Sequence, residues 1–126
     1  MTDWHTGYAY ITNDWGADLA SITLRHRRGN DPDLQEERTW DSVPAGSNQG
    51  PMQFAYETGF GSPFDYWWVK LTTTSNQVYQ CKDVFYCSVS PSDDGNVYLT
   101  VDAASEELRV KFSESDGCKV AMERPS

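Results

Sequence analysis

The chain has 126 residues and a formal net charge of −9, and its five Trp, seven Tyr and five Phe make it rich in aromatic side chains. This length is typical of a single domain, 1–126, with a two-layer core. The acidic charge argues against nucleic acid as a partner, because neutralising phosphates requires clustered Lys and Arg. It also argues against electrostatic attraction to anionic lipid.

In chain order, apolar and polar residues alternate with a period of two in one short segment after another, and helical periodicity is almost absent. Clusters of Gly, Pro, Asn, Asp and Ser separate these segments and indicate turns. The pattern predicts an all-β, antiparallel β-sandwich of about eight to ten strands. The segments predicted as strands are 8–12, 20–27, 38–43, 52–57, 66–71, 77–81, 85–89, 97–102, 108–112 and 118–122.

The most aromatic part of the chain is the segment 56–71, which surrounds a Gly-, Ser- and Pro-containing turn at 59–64. Alternation places Tyr66 and Trp68 on one face of the strand that follows this turn. Trp67 lies on the opposite face with the aliphatic residues of the same strand. One face can be core, and the other must be covered or meet a ligand. We therefore expect the turn to be the place where a ligand binds.

The segment 1–7 is polar and lacks the apolar stretch of a signal peptide. We therefore expect a cytoplasmic protein, or one released by a route that needs no signal peptide. In a cytoplasmic chain, free and partly buried thiols are the expectation for Cys81, Cys87 and Cys118. If any two of them pair, we expect Cys87 to pair with Cys118, which lies in the last predicted strand.

Five stretches of the sequence together resemble one small family. They are AYITN at 9–13, ITLRH at 22–26, VPAG at 43–46, the segment from GP at 50–51 through ETGF at 57–60 to DYW at 65–67, and GC at 117–118. The chain resembles the PUD family, which is named for nematode proteins up-regulated in long-lived insulin-receptor mutants and has fungal relatives. The resemblance implies a jelly-roll-like β-sandwich and, from the nematode members, a V-shaped dimer, so we expect a homodimer. It supplies neither a ligand nor catalytic residues.

The two histidines do not indicate catalysis. Neither His5 nor His26 lies beside a Ser or Cys in a nucleophile motif, and no ligand spacing suits zinc. His26 ends an alternating segment, which is typical of a hydrogen-bonded core or rim histidine, and His5 lies near a terminus expected to be loose. We read the acidic stretches at 30–37 and 93–94 as a solvated loop and a turn rather than as calcium ligands. The sequence therefore predicts no enzyme activity, no metal site and no cofactor.

The aromatic residues suggest a binding function, because sugars stack their C–H faces on aromatic rings and use their hydroxyls to bond polar side chains. Rings at predicted loops or loop–strand junctions are the candidates for stacking, and neighbouring carboxylates are the candidates for hydroxyl contacts. Trp40 and Trp68 lie in the middle of predicted strands and are expected in the core. The candidate ligand-binding residues are Trp15, Asp14, Phe60, Phe64, Asp65 and Trp67.

Three functions remain open at this point. The first is a non-catalytic, lectin-like module that recognises a glycan or glycolipid. The second is a dimeric structural or interaction protein with no small ligand, in which the aromatic surface is the interface. The third is a protein that binds sphingolipid or a neutral membrane surface through Trp15, Phe60 and Trp67, since Trp favours the headgroup region.

Overall fold

A computed structural model describes residues 3–125, so Met1, Thr2 and Ser126 of the predicted domain lie outside the described residues. The described chain forms a single all-β domain of nine strands, and it contains no helix that could span a membrane. The strands are β1 (Asp3–Asp14), β2 (Leu19–Arg28), β3 (Gln35–Val43), β4 (Asn48–Thr58), β5 (Asp65–Thr73), β6 (Val78–Gln80), β7 (Asn96–Asp102), β8 (Glu107–Lys111) and β9 (Cys118–Ala121).

The strands form two packed sheets, which confirms the predicted β-sandwich. One sheet has five strands in the order β4-β1-β7-β8-β9, and the other has four in the order β3-β2-β5-β6. The expectation that the sheets are antiparallel throughout is wrong for one pair, because β1 and β7 run parallel. Parallel neighbours require a long connection. Here the connection is most of the chain, which passes through the four-stranded sheet before β7 returns beside β1.

The core consists of the inward-facing residues of both sheets. In β5 the buried side chains are Asp65, Trp67, Val69 and Leu71, as the period-two pattern predicts for the last three. Trp68 therefore lies on the outer face and is only half buried, and Trp40 in β3 is also half buried. The expectation that Trp68 is core is wrong, because a position in mid-strand does not decide which face a side chain occupies. Trp40 shares the inward face of its register partner Ile22 and packs against the core, but it is only half buried because β3 is an edge strand.

The N-terminal strand is longer than predicted and begins at Asp3. His5 is therefore not on a loose terminus. It is the register partner of Tyr56 in β4, its ring stacks on Tyr56 at 5.0 Å, and its Nε2 lies 2.8 Å from the hydroxyl of Thr58. Pairing with β4 thus orders this end of the chain.

A disulfide joins Cys87 to Cys118. The expectation of free thiols is wrong for these two residues, and the pairing named as the alternative is confirmed. Cys87 lies in the segment 81–90, which follows β6 and forms one bridge to β5, between Tyr66 and Tyr86. The disulfide therefore connects the side of the four-stranded sheet to β9 of the other sheet. Cys81 is a free, buried thiol, and burial raises its pKa to about 11.

Candidate functional site

The six residues predicted to bind a ligand do not form one site. Strand β4 (Asn48–Thr58) begins beside the C-terminal end of β1, which is where Asp14 and Trp15 lie. Its other end leads into the loop that contains Phe60 and Phe64. An extended strand of 11 residues is about 35 Å long. Asp14 and Trp15 are therefore at the opposite end of the sandwich from Phe60 and Phe64.

Trp15 closes its end of the sandwich. Its ring is half buried against the core and lies 4.9 Å from the ring of Tyr79, and Asp14 beside it is exposed. The buried Asn13 holds this turn, because its Oδ1 accepts a hydrogen bond from the backbone N–H of Trp15 at 2.9 Å and its Nδ2 donates to the carbonyl of Val43 at 3.1 Å. The local geometry therefore accounts for Trp15 through packing.

Asp65 and Trp67 are buried, so their prediction as ligand contacts is wrong. Trp67 is fully buried between the sheets, and its indole N–H donates to the carbonyl of Cys87 at 2.9 Å. The Asp65 carboxylate accepts hydrogen bonds from the backbone N–H of Val89 at 3.0 Å and from His26 at 2.7 Å. Both side chains face inward because they occupy the core parity of β5.

His26 lies at the centre of a buried ionic network. Its Nδ1 is 2.8 Å from Glu36, and its Nε2 is 2.7 Å from Asp65. Burial alone would lower the pKa of His26, but the hydrogen bonds and charges of the two carboxylates outweigh burial and raise that pKa above its ordinary value. The second oxygen of Glu36 accepts the backbone N–H of Ala55 in β4, which belongs to the other sheet. The interpretation of His26 as a hydrogen-bonded core residue is confirmed, and the network holds the sheets together.

One group of neighbouring aromatic residues lies along the outer face of β5. Phe64 is 52% exposed and Tyr86 is 54% exposed, and their rings stack at 4.9 Å with an interplanar angle of 15°. Tyr66 packs on Tyr86 at 5.8 Å, and Trp68 is two residues further along the same face of the strand. We call Phe64, Tyr66, Trp68 and Tyr86 the aromatic strip.

Polar groups border the aromatic strip. The guanidinium of Arg25 lies 4.8 Å from the centre of the Trp68 ring, and its Nη2 is 3.1 Å from the carboxylate of Asp83. Arg27, the register partner of Tyr66, donates from Nε to Gln35 at 2.8 Å. The outer face of the four-stranded sheet therefore combines aromatic rings with hydrogen-bond donors and acceptors.

Of the aromatic strip, only Phe64 is among the predicted ligand-binding residues. The exposure of Tyr86 could have been predicted from the alternation of the segment 85–89. Phe85, Cys87 and Val89 are buried, and Tyr86 alternates with them, so it points to the opposite side. The prediction that Trp68 is core rests on its position in the strand, whereas its alternation with Trp67 places it on the outer face.

Phe60 belongs to a second exposed group at the end of the sandwich where β1 begins. It is 95% exposed, and Trp4 and Leu34 are also exposed at this end. A backbone hydrogen bond of 2.8 Å from Gly29 to Phe64 joins the loop after β2 to the loop after β4. We call Trp4, Leu34, Phe60 and Phe64 the apolar tip.

No group of three His, Cys, Asp or Glu residues is arranged to hold a metal ion in the part of the chain that the structure describes. Comparison with known proteins finds no matching family model and no matching curated protein. The surface chemistry of the aromatic strip and the apolar tip is therefore the basis for a functional assignment.

Proposed function

We propose that this protein is a non-catalytic, lectin-like module that binds a neutral glycan, or the glycan of a glycolipid, on the aromatic strip. The observation that carries the proposal is the stacked, solvent-exposed pair Phe64 and Tyr86, with the Arg25–Asp83 ion pair on the same sheet face. The Trp and Asp of the segment 65–67 are excluded from this site by their burial.

The chemistry of the strip suits a sugar. The C–H face of a sugar ring packs on an exposed aromatic ring, and the apolar area that this buries contributes about 25 cal/mol per Å². Sugar hydroxyls need both donors and acceptors, which Arg25 and Asp83 provide at 3.1 Å from each other. Tyr66 and Trp68 continue the aromatic surface along β5 beyond the Phe64–Tyr86 pair, so a glycan of at least two residues fits the strip better than a monosaccharide.

The outer face of a sheet is shallow, and a shallow site buries little of its ligand. We therefore expect weak binding of a single glycan, with strong binding only when several copies of the protein engage several glycans at once. A glycan array probed with protein multimerised on streptavidin is the appropriate assay.

Truncation of one ring tests the site. Tyr86→Ala removes an exposed side chain, so the fold should persist while the array signal falls about tenfold, the effect of about 1.4 kcal/mol. The matched control is Tyr8→Ala, which removes another exposed tyrosine ring, from the outer face of the five-stranded sheet. Equal signals for the two variants, or no signal above background for the multimerised wild type, would refute the proposal.

The same experiment separates glycan binding from dimer formation, which the family resemblance suggests. A homodimer that buries the aromatic strip would dissociate in the Tyr86→Ala variant, as light scattering at high micromolar concentration would show. If Tyr86→Ala converts a dimer to a monomer and no glycan binds, the strip is an interface between copies of the chain.

The exposure of Phe60 favours a second candidate function, which is attachment to a neutral lipid surface through the apolar tip. Aromatic residues at a membrane interface place their rings among the headgroups, and the net charge of −9 does not oppose a neutral surface. Wild type should pellet with vesicles of sphingomyelin or neutral glycolipid, and Phe60→Ser should remain in the supernatant. Tyr8→Ser is the control, since Tyr8 is exposed in mid-sheet away from the tip. Failure of wild type to pellet would eliminate this candidate.

A further inference from the structure

The outer face of the five-stranded sheet contains a groove that is separate from the aromatic strip and the apolar tip. It lies across β7, β8 and β9 and has a volume of about 490 Å³. Its wall includes an exposed aromatic ring, a hydroxyl and three cationic side chains. These residues are Tyr98, Thr100, Arg109, Lys111 and Lys119.

The strand register arranges these side chains in two rows across the sheet. In one row Tyr98 of β7 is opposite Lys111 of β8. In the other row Thr100 is opposite Arg109, and Arg109 is opposite Lys119 of β9. Directly opposed residues have Cβ atoms about 4.5–5.5 Å apart, so one small ligand can reach both rows.

The aromatic wall of the groove is held in place. The Tyr98 ring is 47% exposed and stacks on the ring of Tyr10 in β1 at 5.6 Å with an interplanar angle of 15°. Because Tyr10 supports one side of the ring, Tyr98 can offer a flat surface to a ligand with little loss of side-chain freedom. The turn before β9 contributes Gly117, whose lack of a side chain lets this turn pack closely on the backbone of β8 at Val110.

The charge of the groove is positive, although the chain as a whole carries −9. Arg109 lies 3.5 Å from Asp102 and 3.6 Å from Glu107, and Lys119 lies 3.8 Å from Glu107. Lys111 forms no ion pair within residues 3–125, so three cations and two carboxylates leave one net positive charge. That charge is beside Tyr98, because Lys111 is the register partner of Tyr98.

We propose that this groove binds an acidic sugar, which is a sugar ring that carries a carboxylate or a sulfate. The ring packs on Tyr98, the anionic group contacts the ammonium of Lys111, and the hydroxyl of Thr100 is available to a ring hydroxyl. An ammonium favours a carboxylate or sulfate through charge-assisted hydrogen bonds, and the exposed ring favours a flat partner over a bare inorganic ion. The site is independent of the neutral-glycan site, since the two lie on the outer faces of different sheets.

The test is an NMR titration of backbone amides at low salt, with matched anionic and neutral sugars. Glucuronic acid and galactose 6-sulfate are the probes, and glucose and galactose are their neutral counterparts. The anionic sugars should shift the amides of Lys111, Gly117 and Lys119 at millimolar concentration, and raising the salt concentration should weaken binding because exposed charges are screened. The neutral sugars should leave these amides unchanged.

Two charge-removing variants make the test specific. Lys111→Gln should weaken binding of the anionic sugars by about fivefold or more, the loss expected for one charge-assisted hydrogen bond at a partly exposed site. Lys70→Gln, an exposed lysine on β5 of the other sheet, makes the same change in net charge and should leave the affinity within about twofold.

The proposal is overturned if neither anionic sugar shifts the groove amides, if the neutral sugars shift them equally, or if the two lysine variants behave alike. Failure of the neutral-glycan proposal is recognised separately, because Tyr86→Ala should leave binding of the anionic sugars intact.

Discussion

Removing the disulfide is the perturbation with the most direct consequence for stability. Cys87 and Cys118 are separated by 31 residues. In the loop-entropy model, closing a loop of that length restricts the unfolded chain by an amount equal to about 3.7 kcal/mol at room temperature. For a domain of this size a loss of that magnitude lowers the melting temperature by about 10–15 °C. The variant is the double substitution of Cys87→Ala with Cys118→Ala.

The assay is urea denaturation followed by Trp fluorescence, with and without the reductant TCEP. Wild type should lose about 3–4 kcal/mol of unfolding free energy on reduction, which is also the difference between oxidised wild type and the double variant. The double variant should be insensitive to TCEP, because Cys81 is a free thiol. Thiol counting in denaturant should give one thiol for oxidised wild type and three after reduction, since the chain has three cysteines.

The reasoning would be refuted if full reduction, verified by the thiol count, left the urea midpoint of wild type unchanged. Such a result would mean that the segment 81–90 stays in place without the covalent link. If Cys81→Ala alone lost as much unfolding free energy as the double variant, we would attribute the loss to core packing rather than to the disulfide.

Three further changes should affect stability in distinct ways. Burial alone would raise the pKa of Asp93, but hydrogen bonds from Ser115, Ser90 and Glu114 outweigh it and hold that pKa well below its usual range. Asp93→Ala should therefore lower the free energy of unfolding by about 1–3 kcal/mol near neutral pH. The difference in stability from wild type should shrink as the pH falls through the low folded-state pKa of Asp93. The control Asp116→Asn should leave the free energy of unfolding unchanged in the same urea titration. The raised pKa of His26 gives the opposite pH dependence. The stabilisation of the fold by protonated His26 is complete below the unfolded pKa of about 6.5 and is lost as the pH rises through the folded-state pKa. The stability gap between wild type and His26→Gln should accordingly narrow with rising pH, and a gap that widens would contradict the network. Gly117→Ala would place a Cβ 2.0 Å from the carbonyl oxygen of Val110 and should therefore lower the melting temperature. An unchanged melting temperature would show that the two backbones do not approach this closely.

The sequence determines much of the fold through local periodicity. Alternation indicates the strands of both sheets, and it separates Trp67 from Tyr66 and Trp68, as the burial of β5 confirms. This works because successive side chains of a strand point to opposite faces whatever lies beside the strand. The exposed Phe60 is a similar case, because a ring in a Gly-rich turn has no strand to cover it.

What the tertiary structure alone decided is which of two faces meets solvent and which distant residues meet each other. Asp65 follows a turn in the sequence, yet it is buried, because His26 of the neighbouring strand and the backbone of Val89 satisfy its carboxylate. The parallel pairing of β1 with β7 and the rows of Tyr98 and Lys111 depend on strand order and register, which are set by contacts between residues far apart in the chain. Period two identifies the strands, and only their assembly creates the aromatic strip and the cationic groove.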